Sequence, residues 1–248
     1  MLLSELENYT GQLLEVERFR DYCPNGLQVE GRSEVQRLVS GVTASMELLK
    51  AAVTLGADAL LVHHGYFWKG EDARIAGIKR ARLEWLLRHD VSLLAYHLPL
   101  DAHPQLGNNA QLARILGAEV EGWFGEQNIA AYGCLSEPLA LSVWAERVGN
   151  HLARKPMVIG AADQPIRRVA WCSGGAQGYF EEAVRLGVDA YLTGEISEQH
   201  VHVARETGVA FVAAGHHATE RYGVQALGAH LAERFGIEHQ FAEIANDV

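Results

Sequence analysis

The feature that most constrains this 248-residue chain is an internal repeat. Residues 52–61 align with residues 183–192 at an offset of 131, and seven of the ten residue pairs are identical. A repeat of this length indicates that the chain folds into two similar halves. The predicted organisation is one domain over residues 1–124 and a second over residues 125–248.

A second block of the repeat aligns at an offset of 119. It pairs His97 with His216 and Asp101 with Glu220. The two offsets differ by 12, so the first copy contains about a dozen extra residues. We assign them to the loop that follows His64.

Each copy alternates predicted strands with predicted helices. In the first copy, residues 59–62 (ALLV) form a short apolar run that is typical of a strand buried in a parallel sheet. Residues 46–56 form an amphipathic helix that Gly56 caps at its carboxyl end. The helix over 108–117 begins with asparagine, which we expect to be its N-cap. This alternation predicts an α/β fold with parallel sheets and helices on both faces.

Composition and charge exclude several classes of protein. A hydrophobic content of 48% is enough for a sizeable core, and a formal net charge of -10 argues against non-specific binding of nucleic acid or anionic membrane. The cysteines Cys23, Cys134 and Cys172 form no C-x-x-C pair, which argues against a disulfide framework or a zinc ribbon. The chain has neither a basic leader at its start nor an apolar run long enough for a membrane span, so we expect a cytoplasmic protein.

The candidate functional residues lie where predicted strands end. His63 and His64 end the ALLV strand, His97 ends the next strand, and His216 and His217 end the matching strand of the second copy. His97 and His216 are each followed four residues later by a carboxylate, so each copy has one H-x-x-x-[DE] pattern. In parallel sheets ligands bind beyond the carboxyl ends of strands, which predicts that these side chains meet.

Imidazole and carboxylate side chains together suit zinc, manganese, iron or nickel. Three histidines and two carboxylates are more than one tetrahedral ion needs, which predicts two divalent ions per chain. The predicted metal ligands are His63, His64, Asp101, His216 and Glu220. His97 is either a further ligand or a residue that orients one. Glu195, which takes the place of His64 in the second copy, is either a helix N-terminal carboxylate or a catalytic acid or base.

The extra loop brings Tyr66, Phe67, Trp68 and Lys69 directly after the paired histidines. Aromatic rings beside a cation suit a nucleobase and its phosphate, but packing against the sheet is the alternative. The segment 173–178 (SGGAQG) opens a helix after a strand and is a weak signal for anion binding, since it lacks the lysine of a phosphate-binding loop.

The chain resembles the Nif-three-like family, whose bacterial members carry the label GTP cyclohydrolase 1 type 2 homologue. The matching segments are NGLQVEG (25–31), DALLVHHG (58–65), AYHLPLDAHPQLGNN (95–109), YLTGEISEQH (191–200) and AGHHATE (214–220). The resemblance implies a dinuclear metal site on the five predicted ligands, with His216 rather than His217 among them. It also implies two similar, intertwined α/β/α three-layer domains and a ring-shaped homo-hexamer.

Two functional hypotheses follow. The first is a metal-dependent hydrolase that acts on a nucleotide or a related phosphate compound, by purine ring opening or phosphoester cleavage, with Glu195 or His97 moving protons. The second is a non-catalytic metal-dependent scaffold or regulator. A catalytic ion keeps an open coordination position and a structural ion does not, and five ligands spread over two ions favour the hydrolase.

Overall fold

The computed structural model describes all residues from 1 to 248. The strands are β1 (Gly26–Val29), β2 (Arg37–Thr43), β3 (Ala59–His64), β4 (Ser92–Ala95), β5 (Ala118–Phe124), β6 (Ala130–Ala140), β7 (Met157–Ile159), β8 (Pro165–Trp171), β9 (Ala190–Thr193), β10 (Ala210–Ala213) and β11 (Glu238–Phe241). The helices are α1 (Leu3–Leu13), α2 (Met46–Thr54), α3 (Gly77–His89), α4 (Leu98–Ala102), α5 (Asn108–Leu116), α6 (Leu141–Leu152), α7 (Phe180–Arg185), α8 (Glu198–Thr207) and α9 (His216–Phe235). None of these helices is both long enough and apolar enough to cross a membrane.

The chain divides into two compact units. Unit 1 comprises residues 1–100 and 223–245, and unit 2 comprises residues 101–222 and 246–248. These bounds differ from a division at residue 124. The difference arises from strand pairing, because β5 pairs with β6 in unit 2 and the late strand β11 pairs with β2 in unit 1.

Unit 1 is built on a five-stranded sheet in the order β1-β4-β3-β2-β11, parallel except for β1. Alternate residues of a strand point to opposite faces, so a strand buried on both sides must be apolar throughout. Helices α2 and α3 cover one face, and their leucines pack against Val39, Leu60 and Leu93. On the other face, α9 approaches closely at Gly228, where a Cβ atom would lie 2.1 Å from Nε2 of His239.

Unit 2 is built on a six-stranded sheet in the order β5-β6-β8-β9-β10-β7. Strands β8, β9 and β10 are parallel, and the outer strands are antiparallel to their neighbours. Helices α5 and α6 pack on one face, where Trp144 is buried against Leu192 and Val212. Phe180 of α7 packs against Phe211 on the other face, with ring centroids 4.9 Å apart. Helices therefore cover both faces of this sheet as well.

The duplicated segments fold alike. Strands β2, β3 and β4 are consecutive parallel neighbours in unit 1, as β8, β9 and β10 are in unit 2. Asp58 and Asp189 occupy the same position in the repeat, and each accepts hydrogen bonds of 2.8 Å from two successive backbone amides of the neighbouring strand segment. The predicted α/β fold with two similar halves is confirmed. Most of the insertion lies in the irregular loop 65–76, which precedes α3; the rest lies in α3, which has 13 residues against 10 in the matching helix α8.

The predicted N-cap at the start of α5 is wrong. The N-cap position is Gly107, and no side chain caps the helix there. Asn108 and Asn109 are fully buried and donate instead to Oδ1 of Asp101 at 2.9 Å and to the carbonyl oxygen of Ile129 at 2.8 Å. Buried acceptors need a protein donor because water cannot reach them. The two asparagine side chains therefore bond to these acceptors and do not cap the helix.

Candidate metal centre

Three histidines converge at the carboxyl ends of two neighbouring parallel strands of unit 1. His63 and His64 are the last residues of β3, and His97 follows β4, which pairs with β3. One ring nitrogen from each of the three lies within 4.8 Å of those of the other two. We call these three residues the histidine cluster. Side chains of successive residues leave a regular strand on opposite faces, yet the rings of His63 and His64 lie with centroids 4.7 Å apart at the end of β3.

Each ring of the histidine cluster has its Nδ1 engaged. Nδ1 of the fully buried His63 donates to the carbonyl oxygen of Tyr96 at 2.9 Å. Nδ1 of His64 shares a hydrogen bond of 3.0 Å with the hydroxyl of Thr43. Nδ1 of His97 donates to Oδ1 of Asp21 at 2.7 Å. Nε2 is therefore the nitrogen that each ring presents to a metal, and a partner on the second nitrogen is the usual arrangement around metal-binding histidine.

Asp21, Cys23 and His97 form a second group whose ligand atoms lie within 4.8 Å of one another. Burial would raise the pKa of Asp21, but the hydrogen bond and charge of His97 lower it overall. Burial, followed by the charge of Asp21, raises the pKa of the Cys23 thiol to about 12. In the metal-free protein the carboxylate is therefore ionised at neutral pH and the thiol is protonated.

The aromatic residues of the loop after His64 lie in two different environments, the core of unit 1 and the border of the histidine cluster. The buried Tyr66 donates from its hydroxyl to the carbonyl oxygen of Ala44 at 2.8 Å, and Phe67 packs against the core of unit 1. Trp68 is half-buried, and its ring meets the ring of His97 edge-on at 5.1 Å between centroids. Core packing is thus correct for Tyr66 and Phe67, whereas Trp68 borders the histidine cluster.

In unit 2 the matching strand end brings His216 between two carboxylates. His216 follows β10 and begins α9, which places Glu220 one helical turn later. Nδ1 of His216 donates to Oε1 of Glu195 at 2.6 Å, and Nε2 lies 3.2 Å from Oε2 of Glu220. Glu195 precedes α8, which begins at Glu198, so the alternative of a carboxylate in the first turn of that helix is wrong.

The SGGAQG segment holds the two buried carboxylates of unit 2. The hydroxyl of Ser173 donates to Oδ1 of Asp101 at 2.9 Å. Gly174 has a left-handed φ of +66°, and a Cβ atom there would lie 2.1 Å from Oε1 of Glu220. The segment therefore packs against ligand-type side chains. Position 174 requires glycine because the backbone there lies against a carboxylate.

The charges of unit 2 suit a cation. Asp101 and Glu220 are only 6% and 3% exposed, and a buried carboxylate is unfavourable unless a positive charge or hydrogen bonds compensate it. Burial lowers the pKa of His216, but the hydrogen bond and charge of Glu220, followed by those of Glu195, raise it to about 9. One imidazolium thus faces two carboxylates. Since imidazole and carboxylate donors suit first-row divalent metals, these residues fit such an ion.

Several residues that shape the site were missed from the sequence. Asp21 and Thr43 engage ligand-type side chains, yet they belong to no repeated pattern. Ser173 lies in the SGGAQG segment, which the sequence indicated only as a weak signal for anion binding. Asn25, within NGLQVEG, is a partial exception, because its side-chain oxygen accepts a 2.7 Å hydrogen bond from the backbone amide of His97. That segment carried the family resemblance but no indication of this contact.

The fold and these side chains define a class of α/β proteins whose parallel strands end in groups of histidine and carboxylate that could hold metal ions. The model of the family described as Duf34/NIF3 (NGG1p interacting factor 3) matches residues 1–247, and the chain belongs to this family. It is 59% identical over 247 residues to a Pseudomonas aeruginosa protein named GTP cyclohydrolase 1 type 2 homolog, with 98% of each chain covered.

Two solved structures are similar over the whole of both chains. One is described as protein ybgI of unknown function, with 49% identity and a TM-score of 0.96. The other is TTHA1606 from Thermus thermophilus, with 34% identity and a TM-score of 0.91. The predicted family is confirmed.

Proposed function

We propose that this protein is a metal-dependent hydrolase that binds two divalent ions per chain and acts on a nucleotide or a related phosphate compound. The proposed metal ligands are His63, His64, Asp101, His216 and Glu220. The observation that carries the proposal is that the histidines and Asp101 each have a second contact that orients them. Such outer contacts are typical of residues that bind metals, since they fix the ring or carboxylate before the ion arrives.

Bound divalent ions would polarise a phosphoryl or carbonyl oxygen and lower the pKa of a bound water. Glu195 is the side chain to which we assign proton transfer, because it is 37% exposed and lies next to His216. His97 lies among the imidazoles of unit 1, which favours metal binding for this residue. The relatives' name makes GTP the first substrate to test.

We also propose a cytoplasmic location, in keeping with the number and spacing of the cysteines.

The first test is the number of bound ions. After loading with zinc or manganese, elemental analysis should find close to two ions per chain, because the ligand set is too large for one tetrahedral ion. A stoichiometry that stays at one ion at saturation would contradict the two-metal proposal.

The second test separates a hydrolase from a scaffold. With manganese bound, relaxation of water protons should reveal rapidly exchanging water, because a catalytic ion keeps an open position. The same preparation should turn over at least one member of a nucleotide panel that begins with GTP, and His216→Ala should not. Metal without exchangeable water, together with no turnover, would favour the scaffold hypothesis instead.

A further inference from the structure

Two buried threonines lie beside the proposed ligands of unit 2. Thr193 is the last residue of β9, and Thr219 is the residue before Glu220 in α9. Both side chains are fully buried, and a buried hydroxyl is unfavourable unless it forms hydrogen bonds. We call these two residues the threonine pair. Both hydroxyls form hydrogen bonds with the same residue, Gly174.

The threonine pair holds both polar backbone groups of Gly174. Oγ1 of Thr219 accepts a hydrogen bond from the backbone amide of Gly174 at 3.0 Å, and Oγ1 of Thr193 donates to its carbonyl oxygen at 3.0 Å. The backbone amide of Gly194 donates to the same carbonyl oxygen at 2.9 Å. A buried backbone amide without an acceptor is unfavourable, so loss of the Thr219 hydroxyl would leave Gly174 without a required partner.

The hydroxyl of Thr219 also binds the start of α9. It donates to the backbone carbonyl oxygen of Gly215 or of His216, each of which lies at 2.9 Å. A hydroxyl has one proton and two lone pairs, so it can accept from Gly174 and donate to one of these carbonyls at the same time. Thr219 therefore connects the SGGAQG segment to the first turn of the helix that contains His216 and Glu220.

The segment that the threonine pair holds lies in close contact with both of these proposed ligands. A Cβ atom at Gly174 would lie 2.1 Å from Oε1 of Glu220 and 3.2 Å from Nε2 of His216. A Cβ atom at Gly194 would lie only 2.5 Å from Cα of His216. Because protein interiors are close-packed, a shift of Gly174 has to move these neighbours. The position of Gly174 therefore helps to set the positions of two proposed metal ligands.

We propose that Thr193 and Thr219 are positioning residues of the metal centre, which hold Gly174 in place and thereby fix the side chains of His216 and Glu220. The proposal rests on the metal-binding part of the proposed function and is independent of hydrolysis. Loss of an outer contact of a metal ligand typically weakens metal affinity by about 10-fold to 100-fold. The threonine pair acts through the backbone and not on the ligand atoms, so we expect about 10-fold, the lower end of that range.

The test is a titration of the full chain with cobalt, followed by visible absorption, in the parent, Thr193→Val and Thr219→Val. Valine keeps the branched shape of threonine and lacks the hydroxyl. We expect each valine variant to bind metal about 10-fold more weakly than the parent, with an altered cobalt spectrum. Thr219→Ser, which retains the hydroxyl, should recover the affinity of the parent. Thr193→Val, which leaves α9 unchanged, decides the matter if Thr219→Val folds poorly.

The matched control is Thr10→Val in unit 1. Thr10 is also fully buried in a helix, and its hydroxyl donates to the carbonyl oxygen of Leu6, four residues earlier, at 2.7 Å. Urea unfolding of the metal-free proteins should show that this variant loses stability, as the variants of the threonine pair do, whereas its cobalt affinity should equal that of the parent. A loss of affinity that merely follows lost stability would appear in the control as well.

The double variant Thr193→Val/Thr219→Val tests whether the two hydroxyls act on one residue. Because both hold Gly174, we expect the loss of affinity in the double variant to be smaller than the product of the two single losses. Losses that multiply, parent-like affinity in both valine variants, or failure of Thr219→Ser to recover affinity would overturn the proposal, as would an equal loss in Thr10→Val. A parent that binds no cobalt would overturn the proposed function as well. A parent that binds cobalt but turns over no nucleotide contradicts the hydrolase alone.

Discussion

At the scale of single residues, the chemistry of this protein depends on which polar atoms are already engaged. His216 and His217 are adjacent and belong to the same motif. His216 lies between Glu195 and Glu220, in register with His97 in the repeat. The backbone amide of His217 donates to the carbonyl oxygen of Val248 at 3.0 Å. We therefore expect His216, and not its neighbour His217, to bind metal.

His216→Ala should lose at least one bound ion, because it removes an imidazole that is oriented by one carboxylate and adjoins another. His217→Ala should retain both ions and serves as the matched control. Metal content after dialysis against metal-free buffer measures the difference. Equal loss from the two variants would mean that both rings bind metal or that the register of the repeat identifies the wrong one.

Gly174→Ala should destabilise the protein by roughly 1–2 kcal/mol, the cost of a left-handed conformation for a residue with a Cβ atom. It should also displace Glu220, since the new methyl group would lie 2.1 Å from Oε1 of that side chain. We expect weaker metal binding as a result. Urea unfolding and a metal titration measure the two effects separately.

Gly178→Ala is the control for this change, because no atom lies within 4 Å of a Cβ atom at that position. It should leave both stability and metal affinity near those of the parent. If Gly174→Ala behaved like Gly178→Ala, the close approach of the backbone to Glu220 would have no functional role.

At the scale of the element, the same pair of side-chain to backbone hydrogen bonds stabilises both copies of the repeat. Asp58 and Asp189 each tie the start of one parallel strand to the neighbouring strand through two backbone amides. This explains the identity of the two aspartates without invoking the metal centre. The repeated glycines Gly56 and Gly187 have left-handed φ angles of +73° and +69°, which follow helices α2 and α7.

Asp58→Asn should lower the free energy of unfolding by roughly 1–3 kcal/mol at pH 7, because it weakens charge-assisted hydrogen bonds. Burial alone would raise the pKa of Asp58, but the amides of Gln36 and Arg37, followed by Arg32, lower it overall from its ordinary value of 3.8. A lowered pKa in the folded state stabilises the protein above pH 3.8, and this contribution is lost as the pH falls through the lowered pKa.

The difference in the free energy of unfolding between the parent and Asp58→Asn should therefore shrink as the pH falls below 3.8. Urea unfolding of both proteins between pH 7 and pH 3 provides the measurement. A difference that stays constant, or grows, as acid is added would show that the charge of Asp58 does not contribute to stability.

The aromatic loop is the element that distinguishes the first copy from the second. Trp68→Ala should weaken nucleotide binding without removing metal if the loop covers the substrate. Stacking on a base contributes ~1–3 kcal/mol, so the affinity should fall roughly 5-fold to more than 100-fold. Calorimetric titration of the metal-loaded protein with the nucleotide panel measures this loss.

Trp85→Ala provides the control, because Trp85 lies on α3 against His89, with ring centroids 4.3 Å apart. That variant should lose stability while keeping nucleotide affinity. Unchanged nucleotide affinity in Trp68→Ala, accompanied only by lower heat stability, would assign Trp68 to the core.

At the scale of the whole molecule, the family resemblance predicts a ring-shaped hexamer. Light scattering coupled to size exclusion should then give about 163 kDa, the mass of six chains of 27.2 kDa in a closed ring. The measurement should be made with and without metal, so that any effect of metal on assembly is detected. A mass that corresponds to one or two chains at micromolar concentration would contradict the hexamer.

The sequence by itself determined the fold class, the duplication and the candidate ligands. These features are visible because strand and helix periodicity are local, and because the second copy shows which residues recur in register. His216 could be preferred to His217 on this basis alone. Strands β1 and β7 lie outside the aligned blocks and carry no repeat signal of their own.

Only the tertiary structure decided how the ligand-type residues are oriented. Asp21 reaches His97 across 76 residues, and Ser173 reaches Asp101 across 72. The role of Asn108 likewise changed from a helix cap to a donor to Asp101. Such contacts depend on which strand ends become neighbours, and a hydrogen bond between distant residues leaves no periodic trace along the chain. The sequence thus specified which groups could bind metal, and the fold decided which partners hold them in place.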